Sequence, residues 1–330
     1  MRYYQNKKIL VTGAGGFIGS HLIERLVKLG TKVRAFVRYN SRNDWGLIEF
    51  LPKEIQVELE IFTGDLKDSE AVRKAVKDCE IVFHLGALIA IPYSYINPMD
   101  FVQTNVNGTA NIVNACREYG VARLVHTSTS EVYGTAQYTP IDEKHPLQGQ
   151  SPYSASKIGA DKIVESQYLA FGLPATTIRP FNTYGPRQSA RAIIPTIITQ
   201  ALAESEVKLG SLWPTRDLTY IDDTVEGFIK IGASQKAIGE VINIGLGEGI
   251  SIKELVNSIS KIIGKELKIK YDSLRVRPKK SEVGRLICNN IKAKKILNWQ
   301  PKVSLAQGLE KTIVWISENL GRYKKEIYNL

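Results

Sequence analysis

Two rhythms of apolar residues alternate along the first half of the chain. Short, nearly continuous apolar runs occupy residues 8–12, 32–37, 57–62, 81–85, 123–127 and 175–179. Between them lie longer segments with apolar residues three and four apart, at 17–29, 69–77, 99–119 and 152–171. A run that is apolar at every position suits a strand buried on both faces, and strand–helix alternation predicts a parallel sheet covered by helices on each side. The fold class expected is α/β and doubly wound. Helix punctuation agrees: Gly30 follows the first helix, Asn97-Pro98 opens the third and Gly120 closes it. Ser151-Pro152 starts the fourth, and Gly172 and Pro174 stop it.

After residue 180 the rhythm breaks into a proline-containing stretch over 180–214. A βαβ-like piece over 218–244 is expected to return to the sheet, and the tail from 251 to 330 reads as helical and Lys-rich. This predicts a dinucleotide-type domain over 1–180 plus about 217–245. A smaller, discontinuous, mostly helical substrate-binding domain would take 181–216 plus about 246–330.

Composition narrows the classes. At 43% apolar and 23% charged, the 330 residues are those of a folded globular protein. No apolar run approaches the ~20 residues of a membrane span, and the N-terminus leads into only the short Ile9-Leu10-Val11 stretch, so neither anchor nor signal peptide is expected. Three scattered cysteines without a CxxC pair suit a reducing compartment, with a cytoplasmic location as the expectation. Lys and Arg exceed Asp and Glu by 11, which points to anionic partners. Acidic residues are interleaved with the basic ones, so a nucleotide is the expected anion and nucleic acid is not. The four histidines form no ligand pair, and no metal is expected.

The strongest local signal is Gly13, Gly16 and Gly19 in Thr12-Gly13-Ala14-Gly15-Gly16-Phe17-Ile18-Gly19, directly after the first strand. Glycines there permit close approach of a pyrophosphate to the open N–H groups of a helix N-terminus, the Rossmann-type arrangement. An acid closing the second strand would bind the ribose 2′-hydroxyl of NAD. Here the strand runs instead into Arg38-Tyr39-Asn40-Ser41-Arg42, which favours NADP over NAD. Asp65-Leu66 after the third strand can meet the adenine, or can simply cap a turn.

Tyr153 and Lys157 share a helical face at i, i+4, so the ammonium can lower the phenol pKa and make Tyr153 a general base toward an alcohol. The preceding strand ends in Thr127-Ser128-Thr129-Ser130-Glu131, at the edge where open α/β sheets bind ligands. Thr129 can hydrogen-bond the same alcohol, and Glu131 adds a carboxylate.

With these motifs in place, the chain resembles the extended short-chain dehydrogenase/reductase superfamily, and within it the nucleotide-sugar epimerases and 4,6-dehydratases. The resemblance is carried by 12–20, 83–87, 104–109, 129–134, 153–157 and 179–187, in family order. The wording at 90–95 and 148–153 is most similar to N-acetylhexosamine dehydratases of legionaminic- and pseudaminic-acid pathways. The resemblance implies Thr129, Tyr153 and Lys157 as a catalytic trio with Asn105 in support. It implies Phe17, Ile18, Leu85, Gly86 and Ala87 along the cofactor, and Tyr93, Asn182, Arg187, Arg216 and Arg277 at the nucleotide sugar. It also implies a homodimer through the helices at 99–119 and 152–171.

Such relatives first oxidise the sugar C4 hydroxyl. A 4-epimerase then needs no second acid or base, whereas a 4,6-dehydratase must remove H5 and protonate the departing C6 hydroxyl. Glu131 therefore favours dehydration, with UDP-N-acetylglucosamine as the first-choice substrate. Many 4,6-dehydratases carry Asp-Glu after the threonine; this chain carries Ser130-Glu131. Either Glu131 serves as both base and acid, or Ser130 relays a proton, or a 5,6-alkene is released after hydride return to C4. A 4-epimerase and a non-catalytic dinucleotide-binding scaffold are the rival readings.

Overall fold

A computed structural model describes residues 2–324. The last six residues of the expected Lys-rich tail, and Met1, lie outside the described residues. Six parallel strands, β1 (Lys8–Thr12), β2 (Lys32–Arg38), β3 (Leu59–Gly64), β4 (Ile81–His84), β5 (Arg123–Thr127) and β6 (Ala175–Pro180), form most of the main sheet. Helices alternate with them: α1 (Phe17–Lys28), the single turn α2 (Lys53–Gln56), α3 (Ser69–Val76), α4 (Ile91–Ile96), α5 (Pro98–Phe101), α6 (Gly108–Glu118) and α7 (Pro152–Phe171). β1 and β4–β6 are buried almost throughout, as strands covered on both faces must be.

Beyond β6 the chain builds β7 (Asn182–Tyr184), α8 (Ile193–Ala203), β8 (Glu206–Leu209), β9 (Thr215–Arg216), β10 (Leu218–Tyr220) and α9 (Ile221–Ala233) before β11 (Val241–Ile244) rejoins the sheet beside β6. The seven-stranded order is β11-β6-β5-β4-β1-β2-β3. Strand order therefore reverses between β1 and β4, the crevice where doubly wound sheets bind ligands at their carboxyl ends. The expected return at 218–244 is met by β11 alone, because β10 pairs in parallel with β7 in a separate two-stranded sheet. The tail contains β12 (Ile250–Ser251), α10 (Ile252–Ile263), β13 (Lys268–Tyr271), β14 (Arg285–Leu286), α11 (Ile291–Leu297) and α12 (Leu305–Glu318). Its helices were expected and its short strands were not.

The punctuation holds at residue level. Ser151 and Ser154 form a reciprocal capping box at the start of α7, and Gly172 closes that helix in the left-handed conformation. The expected helix over 99–119 is interrupted at Val102–Asn107 by a π-helical stretch, a feature that favours functional sites.

Candidate active site

The glycine turn sits at the β1–β4 crevice. A Cβ on Gly13 would lie 2.8 Å from Gly86 N, and one on Gly19 would overlap the Gly13 carbonyl. Gly13 also has φ +68°, so this turn admits glycine on both steric and conformational grounds. Gly16 caps α1 without any side-chain hydrogen bond, leaving the helix N-terminus to an external anion.

Gly13, Gly16, Arg38, Arg42, Asp65, Leu66, Gly86 and Ala87 line one cavity of about 410 Å³, large enough for most of a dinucleotide. Phe17, Ile18 and Gly19 follow in the first turn of α1. Leu85 is tied to β1 through its N–H and the Thr12 carbonyl at 3.2 Å. Asp65 forms the turn, its carboxylate taking the Lys67 N–H at 2.9 Å, and it also lines the cavity.

Ser41 belongs to a loop built by Asn40, whose Oδ1 accepts from the N–H groups of Arg42 and Asp44. That loop brings Asp44 to the cavity wall, 3.5 Å from Arg42. No reading of β2 found this acid, because it lies six residues beyond the strand and arrives through an Asx turn.

The candidate reactive residues come from the turn after β5 and from α7. Thr129 caps the turn after β5 by accepting the Glu131 N–H, and its hydroxyl lies close enough to Tyr153 to favour the phenolate. Tyr153 is 7% exposed and packs with Phe101, Ile91 and Tyr93. Burial pushes its phenol up, Thr129 opposes this, and Glu131 and Asp161 add to the rise. Lys157 follows one helical turn on along α7. Its Nζ donates to the Thr127 carbonyl at 2.7 Å, and burial lowers the ammonium to about 8. Ser130 is buried at 2% exposure. Asn105 lies in the π stretch, where its amide brackets the backbone of Leu88 and donates to Ser156 Oγ at 2.9 Å.

A second cavity of about 250 Å³ is lined by Asn182, Arg216, Arg277, Gln188, Pro92 and Glu282, among others. Asn182 Oδ1 and Arg277 Nη1 are buried there without a hydrogen-bond partner, as polar groups that await a ligand are. Glu282, missed in the sequence, lies 3.6 Å from Arg216 and 3.9 Å from Arg277. Glu131 lies near enough to both Tyr153 and Arg216 for its charge to act on each. Tyr93 does not line this second cavity; it touches the Tyr153 cluster instead, and Asn97 Nδ2 donates to its hydroxyl at 3.3 Å.

Arg187 departs from expectation. Its guanidinium turns to α1, donating to Glu24 Oε2 at 2.8 Å and packing on the ring nitrogens of His21. Its backbone is left-handed at φ 69°, and its guanidinium ties the segment after β7 to α1 and does not line the cleft. No cluster of His, Cys, Asp or Glu able to hold a metal occurs among the described residues.

A family model described as GDP-mannose 4,6 dehydratase matches residues 10–312. A UDP-glucuronate 4-epimerase of Thermodesulfobacterium geofontis is 33% identical over 97% of this chain and 98% of its own. A dTDP-glucose 4,6-dehydratase of Streptomyces griseus is 32% identical over 93% of each chain. The structure of DesIV, a dTDP-glucose 4,6-dehydratase from Streptomyces venezuelae with NAD and TYD bound, superposes with a TM-score of 0.85 at 28% identity, covering 96% of this chain and 99% of that one. A glycine-lined cofactor cavity, a Thr129–Tyr153 pair beside Lys157, an anion-binding cleft and these matches lead to one assignment: the chain belongs to the GDP-mannose 4,6-dehydratase-like family of nucleotide-sugar dehydratases and epimerases, within the extended short-chain dehydrogenase/reductases.

Proposed function

We propose that the protein is a nucleotide-sugar 4,6-dehydratase, with UDP-N-acetylglucosamine as the favoured substrate. The observation that carries this reading is Glu131, a carboxylate whose charge acts on both Tyr153 and Arg216. When bound in the 410 Å³ cavity, a nicotinamide dinucleotide supplies the hydride acceptor and later the donor. Tyr153 takes the C4 hydroxyl proton, with Thr129 beside it and Lys157 charged behind it. Glu131 removes H5, made acidic by the C4 ketone, and as the acid so formed gives that proton to the departing C6 hydroxyl, which leaves as water; hydride return to C6 and a proton at C5, equivalent to the one Tyr153 took up, complete the balance. Asn182, Arg216 and Arg277 hold the diphosphate through charge-assisted hydrogen bonds.

A 4-epimerase is the second reading, supported by Ser130 in place of an aspartate and by the UDP-glucuronate 4-epimerase likeness. Mass spectrometry of products from a panel of UDP- and GDP-sugars decides between them. The dehydratase reading requires loss of one water, and a product of unchanged mass overturns it.

Arg38 and Arg42 support NADP, while the Asp44–Arg42 pair offsets part of the charge offered to a 2′-phosphate. An exposed pair contributes about 1 kcal/mol or less, so the affinities for NAD and NADP are expected to lie within about tenfold of each other. Asp44→Ala should move the preference toward NADP and Arg42→Ala toward NAD, both read by fluorescence titration with each dinucleotide. Opposite shifts would remove Arg42 from cofactor selection.

Exposed Met99, Leu169 and Phe171, at 61%, 73% and 58%, support a homodimer through α5–α7. The three cysteines, all buried and free, support a cytoplasmic location.

A further inference from the structure

Behind Tyr153 and Lys157 lies a buried polar cluster that the chemistry above leaves unused. Asp161 stands one helical turn beyond Lys157 on α7 and is 5% exposed. Its Oδ2 accepts from Ser128 Oγ at 2.8 Å and from Arg179 Nη2 at 2.9 Å, and its Oδ1 lies 3.2 Å from His126 Nε2. Ser128 and His126 flank Thr127, and the Thr127 carbonyl is the acceptor for Lys157 Nζ at 2.7 Å. One carboxylate therefore grips both neighbours of the carbonyl that anchors the active-site lysine.

We infer that Asp161 is a positioning residue: it aims the Thr127 carbonyl at Lys157 and supplies the negative charge that keeps the buried ammonium protonated during turnover. This rests on the reading of Tyr153 and Lys157 as the reactive pair.

The charges around Lys157 support this. Tyr153 and Asp161 face it from its own helix, His126 from β5 and His84 from β4, with Arg179 on β6 behind Asp161 and Glu131 toward Tyr153. Burial holds both histidines below their ordinary values and therefore neutral, and Lys157 adds to the effect. Burial also lowers Lys157, and Asp161 is the acid whose field opposes that fall. Burial alone would raise Asp161, yet hydrogen bonding from His126 and the charges of Arg179 and Lys157 hold it at about 2, so it stays ionised throughout the working range.

Full-length protein labelled with ¹⁵N-lysine gives a readout independent of substrate, the Lys157 signal being identified by its loss in Lys157→Met. In Asp161→Asn, Lys157 is expected to lose its proton about one pH unit or more below the wild-type position. The alkaline limb of the turnover–pH profile should move down with it. Asp161→Glu, which keeps the charge, should restore the limb. If Asp161→Asn fails to fold, Asp161→Asn/Arg179→Gln removes the acid together with its guanidinium and carries the same expectation, since a buried pair is better replaced than broken. An unmoved Lys157 titration in the folded variant overturns the proposal, as does a rate loss equal at every pH. An active Tyr153→Phe would overturn the catalytic reading instead, while the lysine titration still reports on Asp161.

Discussion

Replacing Tyr153 by phenylalanine is expected to cut turnover about 10²–10⁴-fold, the range of a positioned general base. Binding of a nucleoside diphosphate sugar, measured by calorimetry, should change little, because the groups proposed to hold the diphosphate, Asn182, Arg216 and Arg277, sit in the other cavity. The loss belongs to the first chemical step. Without the phenol, the C4 hydroxyl has no base aligned with Thr129, and neither the ketone nor any later elimination can form. Folding should survive, since the ring remains packed on Phe101 and Ile91 and only the hydroxyl is removed. Thr129→Val should act in the same direction by removing the hydroxyl that opposes the effect of burial on Tyr153. In the wild type, the rate should fall on the alkaline side as Lys157 deprotonates near about 8: below that value the ammonium is present, and above it is lost. Turnover of Tyr153→Phe within a few-fold of wild type would assign the proton transfer to another group.

The sheet and the glycine turn were legible because each is dictated locally. Strands buried on both faces must read as unbroken apolar runs, and close packing of Gly13 on Gly86 excludes any side chain at the turn. Boundaries were less legible. β3 begins at Leu59 and not Val57, since Val57 ends the α2 turn and is 77% exposed. The π stretch at Val102–Asn107 has no signature in the apolar spacing. Asn105 within it is held by Leu88 and Ser156, which lie 17 and 51 residues away. The same limit hid the environment of the reactive lysine. Spacing put Lys157 on the Tyr153 face, but the direction of its Nζ was fixed by a β5 carbonyl. Several arginines are structural: Arg34 caps the end of α3 through the carbonyls of Ala75 and Lys77 and pairs with Glu60, Arg179 binds Asp161, and Arg187 binds Glu24. Paired with acids, they add nothing to the net charge, which alone does not tell a structural arginine from a ligand-binding one.

Glu131→Gln separates the reactions that share the Tyr153 step. The amide keeps the size and hydrogen-bonding reach of the carboxylate but cannot accept the H5 proton at neutral pH. C4 oxidation should therefore persist, seen as reduction of the bound nicotinamide in a single turnover. Exchange of H5 with solvent deuterium and release of water should fall about 10²-fold or more, as expected for loss of a general base. Tyr153 should also become easier to ionise, because Glu131 is one of the two negative charges that hold its proton on. The acidic limb of the oxidation step should accordingly shift to lower pH even as elimination stops. A 4-epimerase would behave differently: its catalysis reverses the hydride at C4 without touching H5, so Glu131→Gln would leave turnover nearly intact and product mass unchanged. Full H5 exchange in the variant would take Glu131 out of the mechanism and leave Ser130, buried in the same turn, as the group to examine for proton relay.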